Sequence, residues 1–179
     1  MQDQISRRRF TALTAASGLF SIVPRHVLGG PDHTPPSEKL NIAGIGIGGM
    51  GAGNIRQCAH ENIVALCDVD HTYAAKTLAA YPQAKRYTDY RVMLEKQKDI
   101  DAVVIATPDH THAVISMAAM QMGKHVYCQK PLTHDIFESR MLAKTAKDVG
   151  VVTQMGIQGH SQDGLRLICE WIWDGAIGT

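Results

Sequence analysis

Residues 44–55 read GIGIGGMGAGNI, with five glycines in the eight positions from Gly44 to Gly51. A glycine inside a strand or helix costs about 0.5–1 kcal/mol relative to alanine, so this density implies a need for absent side chains. Gly46-Ile47-Gly48-Gly49-Met50-Gly51 fits the pattern G-x-G-x-x-G. An overlapping register from Gly44 also fits, but the later one leaves a full strand in front of it. In that pattern Gly46 makes the tight turn, Gly48 lets a pyrophosphate reach the backbone, and Gly51 lets a helix pack closely on the strand. The main-chain N–H groups at the helix start, those of Gly49 and Met50 among them, then face the phosphates at the positive end of the helix dipole. Asp68 stands 22 residues on from Gly46, close to the ~20 expected of a carboxylate that holds the adenosine ribose. It would repel a 2′-phosphate, and no arginine follows in DVDHT. NAD is therefore expected over NADP. The competing role for Asp68 is a helix cap, for which Asp70 is better placed.

Other reactive side chains point to less chemistry. Cys58, Cys67, Cys128 and Cys169 form no C-x-x-C pair and read as free thiols. His110 and His112, two apart at a helix start, point to different faces, and no metal site is expected. Met117, Met120 and Met122 read as core packing. Trp171 and Trp173 suit either sugar stacking or packing. The formal net charge of +1 over 179 residues offers no basic face for nucleic acid.

Strands and helices alternate from residue 39 onward. Strands are expected at Leu40–Ile45, Ile63–Leu66, Lys85–Tyr87, Ala102–Ala106, in KHVYCQKP and in VVTQMGI. Helices are expected at Asn54–His60, His71–Ala80, from Asp89, at His112–Met122 with Gly123 as a left-handed cap, at Asp135–Asp148 and near Gln162–Asp174. The continuous apolar run of the fourth strand suits a parallel strand covered on both faces. The fold class is therefore α/β, a doubly wound parallel sheet of Rossmann type.

The first ~35 residues stand apart from this pattern. SRRRFTALTAASGLFSIVP sets Ser6, Arg7, Arg8 and Phe10 ahead of a mildly apolar stretch. This matches a twin-arginine export signal, so the Tat translocation machinery is an expected partner. The stretch is short for a membrane span, and no clean A-x-A cleavage site follows. A periplasmic or otherwise exported protein is expected, with membrane anchoring if the signal stays uncleaved. The expected domains are a signal and linker at 1–35, a dinucleotide-binding domain at 36–160, and a helix at 161–179 leading into a further domain.

Residues 106–132, ATPDHTHAVISMAAMQMGKHVYCQKPL, bring a family resemblance. Together with the glycine loop they resemble the Gfo/Idh/MocA oxidoreductases, and the likeness runs from about Leu40 onward. The resemblance implies hydride transfer between a nicotinamide cofactor and a sugar or polyol hydroxyl. It implies that Ala106, Thr107 and Pro108 line the cofactor and that His110 and His112 sit near its ribose and phosphates. Lys130 matches the family's lysine beside the nicotinamide and the reacting hydroxyl. Gln158 would reach the nicotinamide side, and His160 the substrate mouth. Gln129 replaces the family's glutamate; it can still hydrogen-bond a ribose hydroxyl, but it supports the lysine's charge less. The resemblance also implies a second, α+β substrate domain, usually with a histidine base, beyond Thr179, and leaves room for a homo-oligomer. Two other readings stay open: an NAD-dependent glycosidase working by transient oxidation and elimination, and a non-catalytic nucleotide-binding module.

Overall fold

The structure is a computed structural model that describes residues 34–35 and 38–178. The expected export signal lies outside the described residues. From Leu40 the chain forms one compact unit. Its strands are β1 (Asn41–Ile45), β2 (Asn62–Cys67), β3 (Lys85–Tyr87), β4 (Ala102–Ile105), β5 (His125–Gln129) and β6 (Thr153–Gly156). Its helices are α1 (Gly49–Gln57), α2 (Ala75–Ala80), α3 (Tyr90–Lys96), α4 (His112–Gln121), α5 (Ile136–Val149) and α6 (Asp163–Trp173).

The strands form one sheet in the order β3-β2-β1-β4-β5-β6, and every pair is parallel. Successive side chains of a strand point to opposite faces, and here both faces are covered. Ala43, Ile45, Val103 and Ile105 enter one core with Met93, Ile115, Met120 and Leu142. Ile42, Leu66 and Val104 enter the other with Ile47, Ile55 and Leu78. The sheet is therefore doubly wound, as the alternation predicts. The strand order reverses between β1 and β4, and such a reversal opens a crevice beyond the carboxyl ends of the strands.

Most elements fall within one or two residues of their expected places; two helix starts differ. The first helix begins at Gly49, not Asn54. Glycine is a poor helix former, so that turn reads as loop, yet its glycines are dictated by contact. A Cβ on Gly51 would lie 1.8 Å from the Gly46 carbonyl oxygen. The second helix begins at Ala75, not His71. Asp70 is the reason: its Oδ1 accepts from the N–H groups of Thr72 and Tyr73, both at 2.9 Å. Those bonds hold a turn where helix was expected. The Asp89 cap forms as expected, accepting from Arg91 N–H at 2.9 Å. Gly123 has φ of +72° behind α4, the left-handed conformation that a side chain disfavours. No described helix is long and apolar enough to cross a membrane.

Candidate functional site

The glycine turn sits at the carboxyl end of β1, between the ends of β2 and β4. Gly46 N–H donates to the Cys67 carbonyl and Ala106 N–H to the Ile45 carbonyl, both at 2.9 Å. Gly46 has φ of +74°, and a Cβ there would lie 2.7 Å from the Ala106 carbonyl oxygen. The turn thus needs glycine for both conformation and space. Thr77 pins the far side: its buried hydroxyl donates to the Ile47 carbonyl at 2.8 Å. No side chain caps the first turn of α1, so its leading N–H groups remain for a ligand.

Asp68 bears directly on this turn. Its Oδ2 accepts from Ile47 N–H at 2.8 Å and Gly48 N–H at 3.2 Å, while Oδ1 accepts from Asp70 N–H at 2.9 Å. An ionised carboxylate offers about four acceptor positions; three are filled, which leaves room for one more donor. Asp68 is therefore a brace for the glycine loop as well as a candidate ribose ligand.

A cleft of about 500 Å³ opens over these groups. Gly46, Gly48, Asp68, Ala106, Thr107 and Pro108, all anticipated from the sequence, line it together. Tyr73, Val69, Tyr90 and Val114 line it too and were not anticipated. A Cβ on Gly48 would lie 2.2 Å from Cδ1 and Cε1 of Tyr73, and one on Gly49 would lie 2.7 Å from its hydroxyl. Gly48 thus gives its space to the largely exposed Tyr73 ring, where a pyrophosphate was expected. Nothing in the spacing of DVDHTYA marks Tyr73, because its position depends on the Asp70 turn.

Of the remaining anticipated residues, Gly49, Met50 and Gly51 open α1 behind β1, and the others end or follow β4, β5 and β6 at the carboxyl side of the sheet; none of them lines this cleft. Met50 and His110 are exposed. His112 departs from its expected place beside the cofactor. It is 1% exposed, with Nδ1 2.6 Å from the Pro131 carbonyl oxygen and Nε2 2.8 Å from that of Thr107. Both ring nitrogens are thus committed to main chain, and neither is left to contact a ribose or phosphate. Gln129 ends β5, is buried, and leaves its Nε2 without a partner. Gly156 makes room for it, since a Cβ there would meet that Nε2 at 2.8 Å. Gln158 donates to the Tyr127 hydroxyl at 3.1 Å. Lys130 and His160 are exposed, so Lys130 is not shielded from water by this unit.

Burial keeps the thiols beside the site protonated at neutral pH. Burial, and then the charges of Asp68 and Asp89, push Cys67 from the ordinary 9.0 up to about 12. Burial likewise pushes Cys128 up to about 11. His134, Asp135 and Glu138 cluster at the start of α5. Their carboxylates are engaged in capping: Asp135 accepts from Glu138 N–H at 2.8 Å and Glu138 from His134 N–H at 2.9 Å.

The residues present fit a dinucleotide. The turn has no side chains in the way, the α1 N–H groups are uncapped, Asp68 retains acceptor capacity, and Gln129 holds an unpartnered donor. Comparison with known proteins agrees. Residues 40–157 match the model of an oxidoreductase family with an NAD-binding Rossmann fold, GFO_IDH_MocA. The chain is 31% identical over 152 residues to levoglucosan dehydrogenase of Pseudarthrobacter phenanthrenivorans, covering 79% of this chain and 39% of that protein. It is 28% identical over 171 residues to a glycosyl hydrolase family 109 protein of Shewanella pealeana, covering 80% and 37%. The crystal structure of myo-inositol 2-dehydrogenase from Lactobacillus plantarum superposes with a TM-score of 0.69 at 28% identity, over 79% of this chain and 43% of that one. The chain thus spans less than half the length of these relatives. A parallel sheet ordered 3-2-1-4-5-6, a glycine turn braced by Asp68 and a family match over residues 40–157, all six strands included, lead to one assignment: the chain belongs to the Gfo/Idh/MocA oxidoreductase family, through its NAD-binding Rossmann domain.

Proposed function

We propose that this chain is the dinucleotide-binding part of an oxidoreductase that takes hydride from a sugar or polyol hydroxyl. The observation that carries the reading is the cleft over Gly46–Gly51, with Asp68 holding the loop and keeping one acceptor position free. That position would receive one ribose hydroxyl. The α1 N–H groups of Gly49 and Met50 would hold the phosphates, and the exposed Tyr73 ring would turn aside from Gly48 to admit them. Ala106, Thr107 and Pro108 would form the opposite wall. Gln129 would donate its spare N–H to an acceptor on the nicotinamide side, near Gln158. When bound, the nicotinamide ring supplies the hydride acceptor. Lys130 would direct Nζ to the substrate oxygen and relay the hydroxyl proton to solvent as hydride leaves the carbon. His160 would stand at the substrate mouth. Levoglucosan and inositol dehydrogenases among the relatives favour a polyhydroxylated substrate.

The family 109 glycosyl hydrolase among the relatives supports a second reading, cleavage of a glycosidic bond with no net redox change. One experiment separates the two. A protein carrying this chain together with the rest of its relatives' length is incubated with NAD and a panel of polyols and glycosides. Accumulating NADH supports the dehydrogenase. Released sugar without NADH supports the glycosidase, and neither product rejects both. We also propose export by the twin-arginine route; Ser6, Arg7, Arg8 and Phe10 before an apolar run support it. Fusing residues 1–35 to a folded reporter tests this, since export that survives Arg7→Lys with Arg8→Lys would contradict it.

A further inference from the structure

We propose that His112 is a positioning residue whose buried ring, seated between two main-chain carbonyl groups, ties the turn at Lys130–Pro131 to the cofactor turn at Thr107. Sheet pairing between β4 and β5 ends at Ile105 with Cys128. Beyond that pair, no main-chain hydrogen bond joins the two turns among the described residues. His112, the first residue of α4, fills the gap. Its Nε2 lies 2.8 Å from the Thr107 carbonyl oxygen and its Nδ1 2.6 Å from the Pro131 carbonyl oxygen. Thr107 lines the cleft, and Pro131 directly follows Lys130. One ring therefore spans from the cofactor wall to the lysine that the proposed reaction uses.

A carbonyl oxygen only accepts hydrogen bonds, so the ring nitrogen that carries the proton donates to one carbonyl while the other nitrogen packs against the second. No carboxylate forms an ion pair with His112 among the described residues, so the two carbonyl dipoles are its electrostatic partners. With the ring 1% exposed, water does not substitute for either of them.

This inference rests on the reading of Lys130 given above only for its catalytic meaning; the tie itself is tested without cofactor. The chain with ¹⁵N-labelled histidine is compared with His112→Gln by NMR. A ring N–H signal that exchanges slowly with water and vanishes in the variant is expected, whereas a His112 ring proton that exchanges as freely as that of an exposed histidine overturns the proposal. Amide exchange is then followed in both proteins. Loss of the tie should speed exchange by about tenfold or more at Ala106 and Thr111, whose N–H groups bond the Ile45 and Pro108 carbonyls on either side of Thr107, while leaving Ile45 and Val103 unchanged. Uniform acceleration, or none, contradicts a positioning role. If the variant does not fold, the spectrum of the unaltered chain still decides. A clamp that passes these tests in a chain that binds no dinucleotide would overturn the functional reading and leave this one standing.

Discussion

At the scale of single residues, Asp68 does more than the spacing rule assigns to it. Its place at the end of β2 was legible because a strand, a glycine loop and a carboxylate at the expected interval can be read in order. Its bonds to Ile47 and Gly48 were not, because they depend on how the loop folds back. Asp68→Ala leaves three N–H groups without their acceptor. We expect a loss of about 1–3 kcal/mol in urea unfolding, together with a fall of about tenfold or more in dinucleotide affinity. Unchanged values for both would remove Asp68 from the site. Cys67 makes a separate prediction about pH. Folding holds its proton up to about 12, whereas the unfolded chain releases it near 9.0. The unfolded state then binds fewer protons in that window, so stability falls as pH rises. This contribution is complete below pH 9.0 and is lost on the way to 12. Urea midpoints measured across that range should decline less steeply in Cys67→Ala than in the unaltered chain.

At the scale of elements, the glycines of α1 divide by what surrounds them. Gly51 meets the Gly46 carbonyl, whereas a Cβ on Gly53 would meet nothing within 4 Å. Gly51→Ala must push the helix off the turn, and we expect it to cost about 1–3 kcal/mol or more. Gly53→Ala should stabilise by about 1 kcal/mol, because only its helix propensity changes. Thermal unfolding of the two variants checks both, and equal shifts would contradict the packing of α1 on the turn. The same division explains what the sequence conceals. Strands such as Ala102–Ile105 are legible because burial on both faces writes an unbroken apolar run. The start of α1 is not, because close approach selects glycine against its own propensity. The start of α2 is displaced by a side-chain bond from Asp70, which pattern reading sees as a cap.

At the scale of the whole molecule, the order of the strands gathers the cofactor-side residues at one sheet edge. The alternation of strand and helix was enough to anticipate a doubly wound sheet, and the glycine turn was enough to say which edge carries the site. The cleft's other wall required the fold, since Tyr73 comes from a segment with no motif of its own and Val114 from a helix face that the 106–132 block does not single out. Helix α6 shows a different surface. Leu165, Ile168, Trp171, Ile172 and Trp173 are 38–82% exposed, an apolar face of the kind that drives association. We expect this chain to self-associate in a concentration-dependent way, and Ile168→Lys with Trp171→Lys to reduce it. Sedimentation that shows the same monomer for both would contradict this.

The most direct measurement is calorimetric titration of the folded chain with NAD and with NADP. The account predicts saturable one-to-one binding of NAD, weaker binding of NADP because Asp68 would repel a 2′-phosphate, and loss of both preference and affinity in Asp68→Ala. A chain with intact helical circular dichroism that gives no heat with either dinucleotide would contradict it.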